Sequence, residues 1–174
     1  MISYKGLAAD VDYNSTFKEV AEIEKVPELL LKSICYAESK LDILAFNYGD
    51  QSDQNHAFGI CQVLYETAAD LGLKDSNCTK DFRFISRSYK DCKLFGIKTN
   101  ITYAARYLKQ QMLKYNDSWI SSIAAYNSGS LRTCNTGVVK RRYDGKILYR
   151  CEIGGLLNQR YVDRVLYFME QLKL

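Results

Sequence analysis

The chain has 174 residues, 24 Lys and Arg against 20 Asp and Glu, six Cys, one Pro and one His. That length suits one domain spanning 1–174 with a core that needs no metal or disulfide, and 47% hydrophobic with 25% charged residues argues against disorder. A lone His excludes a His-rich zinc site and routes any Ser-His-Asp chemistry through His56, so acid–base work falls to a carboxylate or tyrosine; a net charge of +4 does not by itself indicate nucleic acid.

In chain order, Met1 to Gly6 lacks the apolar stretch of a signal peptide, and no apolar run approaches the roughly 18–20 residues of a membrane span. Thr16-x-x-Glu19 is a capping-box pattern, with Phe17, Val20, Ala21 and Ile23 as an apolar face and a stop near Val26. Pro27 fits the first position of a second helix, which runs through Leu30, Leu31, Ile34, Cys35 and Ala37 to Glu38 and Ser39. Asp42 to Phe58 is polar and reads as a long ordered loop or a small hairpin. A third helix is expected from about Ile60 to Leu71, ending at Gly72. Residues 73–97 offer only short helical fragments.

Asn100 caps a strongly periodic helix (Ile101, Ala104, Ala105, Leu108, Met112), and Ser118 opens another that closes at Gly129. Val138 to Cys151 reads as a β-hairpin turning at Asp144-Gly145, and Asn158 caps a final helix through Tyr161, Val162, Val165 and Met169. The class is mainly α with a small β-hairpin. Among the cysteines, Cys35 and Cys61 sit in apolar contexts and read as buried free thiols. Cys78 with Cys92, and Cys134 with Cys151, could each close a loop in an oxidising compartment.

Glu38 is the leading candidate for acid–base chemistry. Stepping back by three, four and seven residues gives Cys35, Ile34 and Leu31, so Glu38 shares a helix stripe that faces the core. Desolvation there raises a carboxyl pKa, which suits a general acid on a glycosidic oxygen. The plainer alternative is a helix-end Glu that turns to solvent.

Five segments in order carry a resemblance. Glu38-Ser39-Lys40-Leu41-Asp42-Ile43-Leu44-Ala45, Gly59-Ile60-Cys61-Gln62-Val63, Asn100-Ile101 with Ala104-Ala105 and Tyr107-Leu108, Ala124-Ala125-Tyr126-Asn127-Ser128-Gly129, and Tyr161-Val162-x-x-Val165 resemble motifs of soluble, goose-lysozyme-like lytic transglycosylases. The resembling patterns are E-S-x-x-x-P-x-A, G-L-M-Q-V, N-I-x-x-G-A-x-Y-L, A-A-Y-N-x-G and Y-V-x-x-V. The resemblance implies a lysozyme-like α+β fold with an extended saccharide cleft. It also implies cleavage of the β-1,4 bond between N-acetylmuramic acid and N-acetylglucosamine in peptidoglycan, with a 1,6-anhydromuramoyl product. One Glu, here Glu38, would act as acid and then as base, with no cofactor or metal.

On the same resemblance, Gln62 would hold an N-acetyl group or orient Glu38, and Tyr126 would steer the carboxylate or stack on sugar. Ser39 and Asn127 join them as substrate-binding candidates, each with a simpler role at a helix end. Without the motif, Gln62 would read as a polar residue on the exposed side of the third helix, and Tyr126 as a core tyrosine. Ile43 and Tyr65 stand where relatives often have Pro. Leu157-Asn158-Gln159 replaces the E-T-R before the final Y-V, so a cleft Glu is missing and Glu152 is a candidate substitute.

Asp50 or Asp53 could act as a second carboxylate, which would make the protein a lysozyme-type hydrolase; turn chemistry is the simpler role for both. A non-catalytic wall-binding or assembly component is the remaining alternative. His56 reads as a surface-loop residue, with lining of the cleft as the alternative. The expected partner is peptidoglycan, with no nucleic acid, for a monomer acting at the cell wall in the periplasm or outside the cell. Without a visible signal peptide the chain reads as phage-encoded or delivered by a secretion or conjugation machine, or as a mature fragment.

Overall fold

Apolar residues recurring every three to four positions build the frame, and short polar turns aim its ends. A computed structural model describes residues 13–47, 56–75, 77–78, 91–135, 138–141, 147–150 and 152–173. Among these the order is α1 (Tyr13–Glu24), α2 (Glu28–Ser39), β1 (Phe46–Asn47), β2 (Ala57–Phe58), β3 (Val63–Leu64), α3 (Tyr65–Asp70), α4 (Ile97–Lys114), α5 (Trp119–Ser128), β4 (Val138–Arg141), β5 (Ile147–Arg150) and α6 (Gln159–Leu172). A 3₁₀ turn, Lys93–Phe95, leads into α4.

The α2 helix lies along α6, α1 lies along α4, and α5 packs against both α4 and α6. Leu30, Leu31 and Ile34 of α2 meet Phe17 and Val20 of α1, Ile101 and Leu108 of α4, Ile123 of α5 and Val162 and Val165 of α6 in one buried cluster. Burial of each such side chain is worth about 1.5–3 kcal/mol. No helix among the described residues is long and apolar enough to cross a membrane.

The helix starts differ from expectation for physical reasons. The α1 helix is already under way at Tyr13, which packs on the core, so Thr16 lies inside the helix rather than at its cap. Pro27 is the N-cap of α2, not its first residue, and its carbonyl accepts the Leu31 N–H at 3.0 Å. The third helix begins at Tyr65 because Gly59 (φ 68°) and Gln62 (φ 50°) form a tight reversal that sends Val63–Leu64 into a strand. Asn100 sits inside α4, fully buried, and Gly96 is the N-cap. Ser118 does cap α5, accepting the Ser121 N–H, and Gly129 closes it in the left-handed region.

Strands β1, β2 and β3 form an antiparallel sheet, with Phe46 opposite Phe58 and Phe58 opposite Val63. Strands β4 and β5 form the expected hairpin; its Asp144-Gly145 turn lies outside the described residues. His56 is not a surface residue. It is 2% exposed, with its ring 5.5 Å from that of Phe46 in a cluster that includes Phe58 and Phe95. Pairing with β1 and β3 folds this part of the polar segment onto the core.

Cys35 and Cys61 are not free thiols; they form a disulfide, as do Cys78 and Cys92. An apolar context is common to a buried thiol and a buried half-cystine, and the packing of α2 against the 59–62 turn decides between them. Cys134 is also disulfide-bonded, while Cys151, its expected partner, lies outside the described residues.

Candidate active site

Glu38 occupies the last turn of α2, where it is partly buried. The Tyr161 hydroxyl, from the first turn of α6, donates to Glu38 Oε1 at 2.6 Å. Burial pushes the Glu38 carboxyl above the usual carboxylate range; the Tyr161 hydrogen bond and the Arg164 charge partly oppose it. Arg164 lies one turn along α6, its guanidinium carbon 5.3 Å from the Tyr161 ring centroid.

Tyr126, in α5, is 8% exposed, and its hydroxyl donates to the Cys61 carbonyl at 3.2 Å rather than to Glu38. Burial first, and the Glu38 charge second, raise the phenols of Tyr126 and Tyr161 well above the ordinary value. Both therefore stay protonated at neutral pH and act as donors. That role suits Tyr161, whose hydroxyl lies at hydrogen-bond distance from a carboxyl.

The turn at 59–62 carries Gln62. Gly59 has φ 68°, and a Cβ built there would stand 2.6 Å from the Leu94 carbonyl oxygen and 2.8 Å from Asn100 Nδ2. Gln62 holds a left-handed backbone while its Nε2 donates to the carbonyls of Gly59 (3.0 Å) and Ala45 (3.1 Å). Gln62 thus lies in a turn rather than on the outer face of a helix. A recess of about 30 Å³ lies between Gln62, Val63, Leu64, Thr67, Tyr107 and Tyr126. The Tyr107 and Tyr126 ring centroids are 5.2 Å apart. A larger depression of about 350 Å³, lined by Lys74, Lys93, Lys98 and Arg106 among others, contains none of the motif residues named above.

The remaining candidates are structurally engaged or stand apart. The Ser39 hydroxyl donates to the Ile60 carbonyl at 2.6 Å and accepts the Asp42 N–H at 3.0 Å, strutting the end of α2 against the Gln62 turn. Asn127 is exposed at the end of α5, where its Oδ1 accepts from Asn158 Nδ2 at 3.1 Å. Asn158 stands at the N-cap of α6 but makes no side-chain cap bond; its amide also donates to the Ala124 carbonyl at 2.8 Å, tying α5 to α6. Glu152 is exposed in the turn after β5, and its carbonyl accepts from Gly155 N–H at 2.9 Å. Asp50 and Asp53 lie outside the described residues.

Sequence reading missed two contributors. Tyr161 was visible only as part of a closing motif, although a tyrosine in line with Val165 and Met169 on a buried face needs a hydrogen-bond partner. Asn100 looked like a helix cap. Its side chain instead accepts the Cys61 N–H at 2.8 Å and donates to the carbonyls of Phe58 and Leu94, each at 2.7 Å. A buried amide with three backbone partners fixes the whole 58–61 stretch.

Comparison with known proteins bears on the fold and the family. The lytic transglycosylase Slt from Pseudomonas aeruginosa, whose X-ray structure is of an inactive mutant, superposes with a TM-score of 0.57 at 17% identity. The match covers 94% of this chain and 25% of that one, so this chain spans about a quarter of that enzyme's length and shares its fold over that part. No curated protein matches by sequence. The profile of the transglycosylase SLT domain matches residues 15–147, well over half the chain. The protein with Glu38 beneath Tyr161 and Gln62 on a clamped turn belongs to that family, with its mainly helical, lysozyme-like fold.

Proposed function

We propose that this protein is a peptidoglycan lytic transglycosylase that cuts the β-1,4 bond between N-acetylmuramic acid and N-acetylglucosamine, with Glu38 as its only proton-transfer group. The observation that carries the reading is a desolvated carboxyl of raised pKa held by one phenolic donor. Among the described residues, which do not include Asp50 and Asp53, no second carboxylate is among the groups that shift it.

The protonated Glu38 gives its proton to the glycosidic oxygen as the C1–O bond breaks. The resulting carboxylate takes the proton from the muramoyl C6 hydroxyl, whose oxygen attacks C1 and closes the 1,6-anhydro ring. Glu38 ends as it began, so the cycle needs no other base. The nucleophile is already tethered to the reacting sugar, and effective molarity replaces a positioned water. That is why one carboxyl suffices where ordinary glycosidases use two. Tyr161 supports the second half of the cycle, because its donor strengthens as the carboxylate forms.

Gln62, Tyr107 and Tyr126 around the small recess suit an acetamido group: the rings offer apolar faces, and Gln62 Oε1 accepts no bond among the described residues. Action at the cell wall accords with the Cys35–Cys61 and Cys78–Cys92 disulfides, which persist in an oxidising compartment. The test is the mass of the products released from purified glycan strands. Products lighter by one water than hydrolytic fragments are expected. Hydrolytic fragments alone would establish a lysozyme-type hydrolase instead. The Pseudomonas aeruginosa neighbour is described as an inactive Glu→Gln mutant, and the same change at Glu38 should stop release of soluble product.

A further inference from the structure

We propose that the Cys35–Cys61 disulfide positions the two halves of the site, so that the chain with these two thiols reduced folds but turns over poorly until oxidation sets Glu38 against Gln62. This inference rests on the reaction assigned above. Cys35 stands one helical turn before Glu38 on α2, and Cys61 immediately precedes Gln62. The bond joins residues 26 apart, and both are fully buried.

Three helices converge on Cys61. Its N–H bonds Asn100 of α4, its carbonyl accepts from Tyr126 of α5, and its sulfur is bonded to α2. The Ser39 bond to the Ile60 carbonyl runs beside the disulfide as a weaker, non-covalent strut. Cys61 occupies the place of the Met in the resembling G-L-M-Q pattern, and a Met there could form no such covalent tie.

Two thiols need more room than a bonded pair. A close-packed core supplies that room only if the end of α2 or the 59–62 turn shifts. Closing the bond takes two electrons and two protons from the Cys35 and Cys61 thiols. They pass to a disulfide oxidant, such as oxidised glutathione or a thiol–disulfide exchange protein, whose own disulfide becomes two thiols. A chain made in a reducing compartment would then be held near inactivity until it reached an oxidising one.

The test compares full-length protein made under reducing conditions, its thiols counted by alkylation and mass, with the same protein after oxidation by glutathione disulfide. The kcat for soluble product release should rise roughly tenfold or more on oxidation, in keeping with the effect of ångström-scale misplacement, while KM changes less. Cys35→Ala/Cys61→Ala should stay at the low level in both states. Cys78→Ala/Cys92→Ala should keep the full oxidised rate and still respond to reduction.

Because the reduced chain or the first double variant could fail to fold, the time course of reoxidation gives a second measure. Activity should rise with the Cys35–Cys61 cross-linked peptide and later than the helical circular dichroism. Reduced, cooperatively folded protein working within about twofold of the oxidised form, or activity returning before the cross-link, would overturn the inference. Oxidised wild-type protein with no lytic activity would overturn the assigned reaction itself, and this inference with it.

Discussion

The hydroxyl of Tyr161 and the carboxyl of Glu38 meet at 2.6 Å across 123 residues of chain. The contact joins the end of α2 to the start of α6, two helices already packed along each other. Its chemistry is asymmetric, since a phenol of raised pKa donates to a carboxyl of raised pKa. The bond therefore favours the charged form of Glu38 while burial favours the neutral one.

Glu38→Gln removes the proposed proton-transfer group and keeps the shape. Product release should fall by about 10²–10⁴-fold, the usual scale for a lost general acid–base group. The same variant should be more stable near neutral pH. Glu38 has a folded pKa above its unfolded value, so between those values the native state binds more protons and wild-type stability falls as pH rises. Gln has no such loss. Thermal unfolding should show a Tm gain at pH 7 that shrinks toward zero as pH drops below the ordinary Glu range.

Tyr161→Phe deletes the donor. Hydrogen bonds to a charged group are worth about 1.5–3 kcal/mol, and in the proposed reaction the charged form is the base of the second half. The kcat should drop by about tenfold to a hundredfold. Without the donor the Glu38 pKa rises further, so the alkaline limb of the pH–rate profile, where the acid form is lost, should move to higher pH. An unmoved limb would show that Tyr161 does not act on the carboxyl.

Arg164→Gln should move the same limb in the same direction but less, because Arg164 is exposed and acts only through its charge. Raising ionic strength should erase the difference from wild type, since solvent-exposed charges are screened over about 8–10 Å near physiological salt. The effect of Tyr161→Phe should survive the same salt.

Gly59→Ala tests the turn. A methyl group there meets Leu94 carbonyl oxygen and the Asn100 amide inside contact distance, at a left-handed φ. The left-handed backbone alone costs about 1–2 kcal/mol for a non-glycine residue, and the clash adds to it. Urea denaturation should show a loss above that figure, accompanied by reduced turnover because Gln62 rides on the same turn. Asn100→Ala, which strands three buried backbone groups, should cost at least as much.

What was legible in the sequence was local. Leu31, Ile34, Cys35 and Glu38 lie on one stripe by counting alone, and the stripe does face the core. The caps at Ser118 and Gly129 follow from two or three adjacent residues. What was not legible depends on contacts between distant segments. Asn before an apolar run reads as a cap, and only the arrival of Phe58 and Cys61 at α4 shows that Asn100 is a clamp. The apolar run from Ile60 suited a helix, but the left-handed Gln62 and the pairing of β3 with β2 delay the helix to Tyr65. Tyr126 stands out in the sequence as a site candidate, yet its hydroxyl donates to the Cys61 carbonyl.

The order of elements along the chain has a consequence for how the protein matures. Glu38 and Gln62 both precede α4 in the chain, while the donor that holds the carboxyl arrives on α6. A chain emerging from its N-terminus would complete the α2, β-sheet and α4 contacts first, with the carboxyl still open to water. Tyr161 and Arg164 both act on Glu38 from α6, so the surroundings that set the pKa of this carboxyl are complete only once α6 lies against α2.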